Sequence, residues 1–200
     1  MHRRNYSAGA VKLSFWFSEF RKMINLLRSG KTLEEIKVLA NTENIFSAST
    51  QARSKQIFST VSTRVSKLSD RYYDIFEDSD VDTQKLIALI SIINMDALFF
   101  EFMDEVYREK LIKSDMILTD ADMRVFFHDK QLESDKIASW TDETILRLQK
   151  SYKSWLAESG LMEHGKGNRK ISKPLIDRRL ESLLSEDTEK SILNILTGVR

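Results

Sequence analysis

Apolar residues recur along this chain at spacings of three and four, and almost no stretch alternates apolar with polar residues as a half-buried strand does. The first helix predicted from this spacing carries its apolar face on Trp16, Phe20, Met23 and Leu27. A longer helix is predicted from residue 50 to 69, and two strongly apolar helices between residues 83 and 113. Only one proline interrupts 200 residues, of which 42% are hydrophobic, so a disordered chain is excluded. The sequence therefore predicts an all-α fold built as a helical bundle.

A soft domain boundary is predicted near residue 115. Ser114-Asp115 and Thr119-x-x-Asp122 carry side chains of the kind that start a new helix. We therefore expect an N-terminal helical bundle over residues 1–115 and a second helical domain over residues 116–200.

The polar residues inside the most apolar stretch bear on where the chain resides. Leu86 to Met103 contains Asn94, Asp96 and Glu101, so we expect it to be buried in protein and to make no contact with a membrane. The chain has no cysteine, which excludes disulfides, thiolate zinc sites and cysteine nucleophiles and favours a reducing, cytoplasmic location.

Charge is distributed unevenly along the chain although the net charge is only +1. Residues 1–71 hold 13 basic and 5 acidic residues, residues 72–148 hold 8 and 18, and residues 149–200 hold 10 and 7. The total excludes a uniformly basic protein that coats nucleic acid. The basic blocks can still attract a polyanion, because a local field acts whatever the total charge is.

The C-terminal third has the element order of a winged helix-turn-helix. A short helix is predicted around residues 133–139, and a longer helix with a polar outer face runs from Thr141 to Ser159. The segments 161–164 and 169–172 flank a glycine-rich turn at residues 165–168, which predicts a small β-hairpin wing. Such a helix fits the major groove of duplex DNA, and a basic wing can meet the neighbouring phosphates.

The candidate DNA contacts of this segment lie on the helix and on the wing, and they are Thr144, Arg147, Lys150, Lys153, Lys166, Arg169 and Lys170. Polar and cationic side chains together suit mixed base and phosphate contact. Winged helices also bind proteins, and the charged outer face of a helix is commonly only solvated, so both alternatives stay open.

A second basic helix lies in the N-terminal block. The helix from residue 50 carries Arg53, Lys55, Arg64 and Lys67, and with the short helix before it forms a possible helix-turn-helix. Arg53 and Arg64 are eleven residues apart, about three helical turns, so they lie on one side. The alternative is a bundle helix whose charges are solvated or face the acidic middle of the chain.

No pattern in the sequence supports an enzyme. Gly30-Lys31-Thr32 resembles the end of a phosphate-binding loop, but Asn25 stands where the first glycine is needed. Asp78, Asp80 and Asp82 resemble a calcium loop, but Thr83 replaces the essential glycine. The three histidines are far apart in sequence, at positions 2, 128 and 164. We predict no catalytic residue, no metal site and no cofactor.

Several short segments resemble the BrxA family, a small component of BREX bacteriophage-defence systems. They are Tyr6-Ser7-Ala8-Gly9-Ala10, Trp16-Phe17-x-x-Phe20, the run Lys150-Ser151-Tyr152-Lys153-Ser154-Trp155-Leu156, and Ser159-Gly160-Leu161. The resemblance spans essentially the whole chain. It implies an all-helical fold like that of the antitermination factor NusB, DNA-binding activity, and action beside a methyltransferase, an ATPase and other BREX proteins.

Together these observations predict a non-enzymatic accessory protein that binds double-stranded DNA largely through electrostatic contacts, with a monomer favoured. Two alternatives remain: an assembly adaptor that binds only protein partners, and an RNA-binding protein suggested by the NusB-like fold.

Overall fold

Capping side chains set where several helices begin in the computed structural model, which describes residues 6–199. Thr32 Oγ1 accepts a hydrogen bond from the Glu35 backbone N–H at 3.2 Å, and Glu35 Oε2 accepts one from the Thr32 N–H at 2.7 Å. Thr119 and Asp122 form the same reciprocal pair. Each pair satisfies backbone donors that a helix leaves open, which defines its first turn.

The N-terminal half is a series of helices joined by short turns. It contains a 3-10 helix, Ala8–Lys12, and the α-helices α1 (Phe17–Arg28), α2 (Leu33–Thr42), α3 (Gln51–Val65), α4 (Asp70–Glu77) and α5 (Val81–Met95).

The C-terminal half adds more helices and two short strands. In order these are α6 (Ala97–Phe102), a π-helical segment (Met103–Arg108), α7 (Glu109–Ile112), β1 (Ile117–Leu118), α8 (Asp120–Glu133), α9 (Asp135–Ala138), α10 (Asp142–Glu158), β2 (Arg169–Lys170), α11 (Arg178–Leu184) and α12 (Lys190–Thr197). The prediction of a mostly helical fold is confirmed, whereas the likeness to NusB stays a prediction.

Helix α5 lies at the centre of the protein. It contacts α1, α3, α4, α6 and α10. Ten of its fifteen residues are buried, which is the behaviour expected of a helix that is apolar on all sides.

Within residues 6–199, no single helix is both long and apolar enough to cross a membrane. α5 and the continuous helix Ala97–Ile112 reach the required length and apolarity only as a pair, and they bend by 113° where they meet.

An aromatic cluster joins the two halves of the chain. The ring centroid of Phe99 lies 4.9 Å from that of Tyr152 and 5.0 Å from that of Trp155. Phe102 and Phe126 pack edge to face at 5.5 Å. The core is thus continuous across residue 115. The division into two domains at that residue stays a prediction.

A buried ion cluster fastens α8 to the helix that precedes it. The side chain of Lys130 is 2% exposed, and its Nζ lies 3.0 Å from Glu101 Oε2, 2.7 Å from Glu105 Oε1 and 2.9 Å from Glu133 Oε2. Burial opposes the lysine's charge, but the hydrogen bonds to the three carboxylates outweigh burial and raise the pKa of Lys130. The Tyr6 hydroxyl donates to Glu101 Oε1 at 2.9 Å, so the cluster also holds the N-terminal segment.

The predicted wing is present in part and has an additional strand. Met162 and Ile171 form an antiparallel bridge, and the Glu163 backbone N–H donates to the Lys170 carbonyl at 2.9 Å. The hairpin prediction did not include β1, which pairs antiparallel with β2. β1 lies more than fifty residues before β2, so its pairing depends on contacts distant in sequence.

Candidate nucleic-acid interface

Three elements of the C-terminal half meet on one face of the protein: the outer side of α10, the first turns of α8, and the turn that leads into β2. A shallow cavity of about 260 Å³ lies between the two helices and is lined by Asp120, Arg124, Leu146, Gln149, Lys150 and Lys153. The Asp120 backbone N–H donates to Asn168 Oδ1 at 3.3 Å, which brings the turn beside the first residue of α8. We call this surface the α10 face.

The turn of the α10 face depends on its glycines. Gly167 has a φ of +69°, a left-handed conformation that glycine adopts without strain. The exposed Lys166 stands in this turn, and the exposed Lys170 lies on β2. The turn therefore presents positive charge to solvent beside α10, as the sequence predicts.

The side chain of Asp120 lies between α8 and α10 in the α10 face and binds a lysine of α10. Lys153 Nζ donates to Asp120 Oδ1, and this hydrogen bond, with the nearby charges of Lys153, Arg124 and Arg169, lowers the pKa of the carboxyl. Lys153 itself is only 9% exposed. Its ammonium group holds α10 to α8, which disfavours the prediction that Lys153 contacts DNA directly.

Lys150, Arg147 and Thr144 occupy different positions on α10. Lys150 is exposed, and no carboxylate within residues 6–199 lies within ion-pair distance of it. Arg147 Nη2 is 2.6 Å from Glu143 Oε1, but both side chains are well exposed, so this pair contributes little and can rearrange around a phosphate. Thr144 Oγ1 lies 3.0 Å from Thr141 Oγ1 at the start of the helix, where the two hydroxyls share a hydrogen bond.

Arg169 is half-buried between the sheet and α8. Burial lowers the pKa of its guanidinium, and the charge of Asp120 partly offsets that effect. Its position favours a role in shaping the α10 face over direct contact with a ligand.

The sequence interpretation missed three members of the α10 face. Arg124 on α8 and Gln149 and Leu146 on α10 line the same cavity as Lys150. Leu146 is 53% exposed, so it adds apolar surface to the otherwise polar outer face of α10. The helical period places Leu146 and Gln149 near Lys150, but only the packing of α8 against α10 brings Arg124 to them.

The four basic residues predicted as DNA contacts in the N-terminal block form two pairs that differ in exposure. Lys55 on α3 and Lys67, two residues after the end of α3, are exposed, as expected of candidate contacts. Arg53 and Arg64 do lie on one side of α3, but that side packs against the N-terminal segment. Their guanidinium carbons lie 4.8 and 5.9 Å from the ring centroid of Trp16.

Arg64 is buried between α3 and the N-terminal segment of the chain. It is 1% exposed, and its two terminal nitrogens donate to the carbonyls of Phe15 at 2.6 Å and Ser14 at 2.9 Å. Burial lowers the pKa of its guanidinium to about 10, so the group stays charged at neutral pH. Arg64 is almost inaccessible and its two terminal nitrogens donate inside the protein, which disfavours the prediction that Arg64 binds DNA. Arg53, which donates to Gln56 Oε1 at 2.9 Å, is half-buried and is occupied in the same region.

Replacing Arg64 with alanine is expected to lower the free energy of unfolding by about 2–4 kcal/mol, because the change removes packing on Trp16 and leaves a buried carbonyl without a donor. Urea unfolding followed by circular dichroism measures this loss. Lys67→Ala, at an exposed position two residues after the end of the same helix, is the matched control and should change stability by about 0.5 kcal/mol or less. Equal losses in the two variants would contradict the structural role of Arg64.

Residues 6–199 contain no group of histidine, aspartate and glutamate side chains arranged to hold a metal ion. His128 and His164 are both exposed, and His2 lies outside the described residues.

Comparisons with known proteins identify both the fold and the family. The crystal structure of an uncharacterized protein from Magnetospirillum magneticum superposes with a TM-score of 0.78 and 18% identity, covering 96% of this chain and 98% of that one, which shows a shared fold. A Bacillus cereus (strain H3081.97) protein named BREX protein BrxA is 42% identical over 161 residues, 80% of each chain. The BrxA family model matches residues 4–188. The chain therefore belongs to the BrxA family.

Proposed function

We propose that this protein binds double-stranded DNA through the α10 face as a non-enzymatic component of a BREX phage-defence system. The observation that carries the proposal is the set of exposed cations on three neighbouring elements: Arg124 on α8, Arg147 and Lys150 on α10, and Lys166 and Lys170 in and after the turn that contacts the start of α8. The name of the Bacillus cereus relative supports the assignment to a BREX system.

The order of elements supports a winged helix-turn-helix at this face. The helix ending at Ile112 is followed by β1, α8, α9, α10, the bridge at Met162 and finally β2, which returns to pair with β1. In this arrangement α10 takes the position of the recognition helix, and residues 163–168 take that of the wing. A major groove about 12 Å wide admits such a helix with its side chains.

We assign the residues of the α10 face to two kinds of contact. Lys150, Lys166 and Lys170 contact phosphates, because they are exposed and free to move. Thr144 and Arg147, near the start of α10, reach base edges or the adjacent backbone. Lys55 and Lys67 provide a second and weaker contact from α3.

The direct experiment is a titration of labelled duplex DNA, single-stranded DNA and RNA at several salt concentrations. Binding should weaken steeply with salt, because each neutralised phosphate releases counterions. With about three to five neutralised phosphates, the slope of log K against log salt for duplex should be about −3 to −5. An affinity that does not change with salt contradicts the electrostatic proposal, and tighter binding of RNA than of duplex supports the RNA-binding alternative.

An acidic groove favours a second candidate function. In this function the protein assembles with other BREX proteins, such as the methyltransferase and the ATPase. This groove of about 360 Å³ lies between the helix that ends at Ile112 and α8. Its lining holds the 59% exposed Val125 and five carboxylates against two lysines: Glu105, Glu109, Asp115, Asp122 and Asp129 against Lys110 and Lys113. Pull-down with and without nuclease separates the two functions, because protein partners retained after nuclease treatment, without duplex binding, favour the adaptor.

A further inference from the structure

The outer face of α8 carries a row of residues that remain exposed in the structure of residues 6–199. Ala121, Val125, His128 and Leu132 follow one another at spacings of four, three and four. Val125 is 59% exposed and Leu132 is 75% exposed. This spacing is that of the contact seam of a coiled coil, along which a second helix packs. We call these four residues the α8 seam.

A groove continues the α8 seam toward the preceding helix. Ala121 and Val125 belong to the seam and also line the groove of about 360 Å³ between α8 and the helix that ends at Ile112. Val106 and the buried Phe126 add apolar surface to the lining. The seam and the groove therefore form one continuous surface on which a third helix can pack against the other two.

The groove is acidic, and its two lysines are already engaged within the protein. Five carboxylates line it against Lys110 and Lys113. Lys110 Nζ lies 2.7 Å from Asp115 Oδ2 and 2.9 Å from Asp122 Oδ2. Lys113 Nζ lies 3.3 Å from Glu109 Oε2. The groove therefore keeps an excess of negative charge, which attracts a partner with positive charge.

Two acidic residues of α8 stand directly beside the α8 seam. Asp122 follows Ala121 and Asp129 follows His128, and both aspartates line the groove, so they flank the seam on its groove side. Within residues 6–199, no cation lies within ion-pair distance of the Asp129 carboxylate. In a coiled coil, charged residues that flank the seam pair with opposite charges on the other helix and so select the partner. The flank of the α8 seam therefore selects a helix with cations beside its apolar stripe.

We propose that the α8 seam and the groove bind an amphipathic helix of another protein, with lysine or arginine along one side of its apolar stripe. The apolar stripe packs on Val125 and Leu132, and the cations contact Asp129 and the other carboxylates of the groove. This inference rests on the second candidate function, assembly with protein partners, and names the chemistry of the partner. It does not depend on duplex binding, because no residue of the α8 seam lines the cavity of the α10 face.

Fluorescence anisotropy with three labelled three-heptad peptides tests the proposal on the full chain, freed of nucleic acid. The first peptide has leucine at the a and d positions and lysine at the e and g positions of each heptad. The second replaces every lysine with glutamate, and the third replaces every leucine with alanine. The first peptide should bind at least tenfold more tightly than either of the others, because each of them lacks one half of the recognition. The proposal is overturned if the first peptide binds no more tightly than the second or the third.

Variants of the chain give the second test. Val125→Ser combined with Leu132→Ser should weaken binding of the lysine peptide about tenfold or more, whereas Leu175→Ser, at a 97% exposed position outside α8, should leave it unchanged. Asp129→Lys should weaken binding of the lysine peptide and strengthen binding of the glutamate peptide. Glu43→Lys, an exposed charge reversal at the end of α2, should change neither. Equal effects of the seam variants and their controls contradict the proposed site.

Pull-down after nuclease treatment separates the α8 seam from assembly as such. A protein partner that is lost from the Val125→Ser, Leu132→Ser variant and kept by Leu175→Ser supports the seam. A partner that both variants keep shows assembly through another surface and overturns this inference alone, whereas the absence of any partner from the unmodified chain contradicts assembly itself. Sedimentation of the protein alone tests the other occupant, since a dimer that the seam variant dissolves places a second copy on the seam and overturns the proposal.

Discussion

Replacing Lys130 with methionine is expected to lower the free energy of unfolding by about 3–5 kcal/mol, because it removes a buried ammonium group that contacts the carboxylates of Glu101, Glu105 and Glu133. Glu101 is 4% exposed and Lys130 is 2% exposed, so water cannot replace the missing ammonium group without opening the core. The substitution should also loosen residue 6 and its neighbours, since Tyr6 is hydrogen-bonded to Glu101. Denaturant unfolding measures the first effect, and hydrogen exchange of the N-terminal segment measures the second.

Two further variants test whether the loss of stability comes from the buried ion cluster. Lys113→Met removes an exposed lysine that pairs with Glu109 at 3.3 Å, and it should reduce stability by about 1 kcal/mol or less. Lys130→Met combined with Glu101→Leu should recover part of the stability, because an apolar pair carries no buried charge. If Lys130→Met is as mild as Lys113→Met, the cluster does not contribute to stability as described.

Neutralising the three exposed lysines of the α10 face, Lys150, Lys166 and Lys170, with glutamine is expected to weaken duplex binding near 0.1 M salt by about tenfold for each phosphate that is no longer neutralised. The same change should make the salt slope shallower by about 0.9 for each lysine, since fewer counterions are released on binding. Labelled-duplex titration across salt concentrations measures both quantities. Because these side chains are exposed, folding should not change, which thermal unfolding verifies.

The matched control changes Lys22, Lys113 and Lys190 to glutamine, three exposed lysines outside the α10 face. This triple variant has the same net charge as the variant of the α10 face. If only the variant of the α10 face binds duplex more weakly, the position of the lysines determines binding and the total charge does not. Lys55→Gln with Lys67→Gln should have the smaller effect if α3 is the second contact. Equal weakening in all three variants contradicts the α10 face as the main surface.

Periodicity and capping predicted most of the large helices, because both act between residues a few positions apart. The helix predicted from Thr141 to Ser159 is observed as Asp142–Glu158, and the short helix before it as Asp135–Ala138. The sequence analysis did not predict α4, α11 or α12, which are short and depend on burial against neighbouring helices. β1 was missed for a related reason, since two residues acquire strand structure only when β2 is beside them.

The amino-acid sequence by itself determined the helical class, the helix starts and the separation of charge into basic and acidic blocks, because each of these is a local property. Only the tertiary structure decided which cations remain free. Lys150 and Lys153 are three residues apart on one helix, yet Lys150 is exposed while Lys153 is buried against Asp120. Arg64 at the end of α3 is likewise buried, whereas Lys67 in the turn that follows is exposed. A cation can contact a phosphate only if no other part of the protein buries it or pairs with it. The residues that do so usually come from a distant part of the chain.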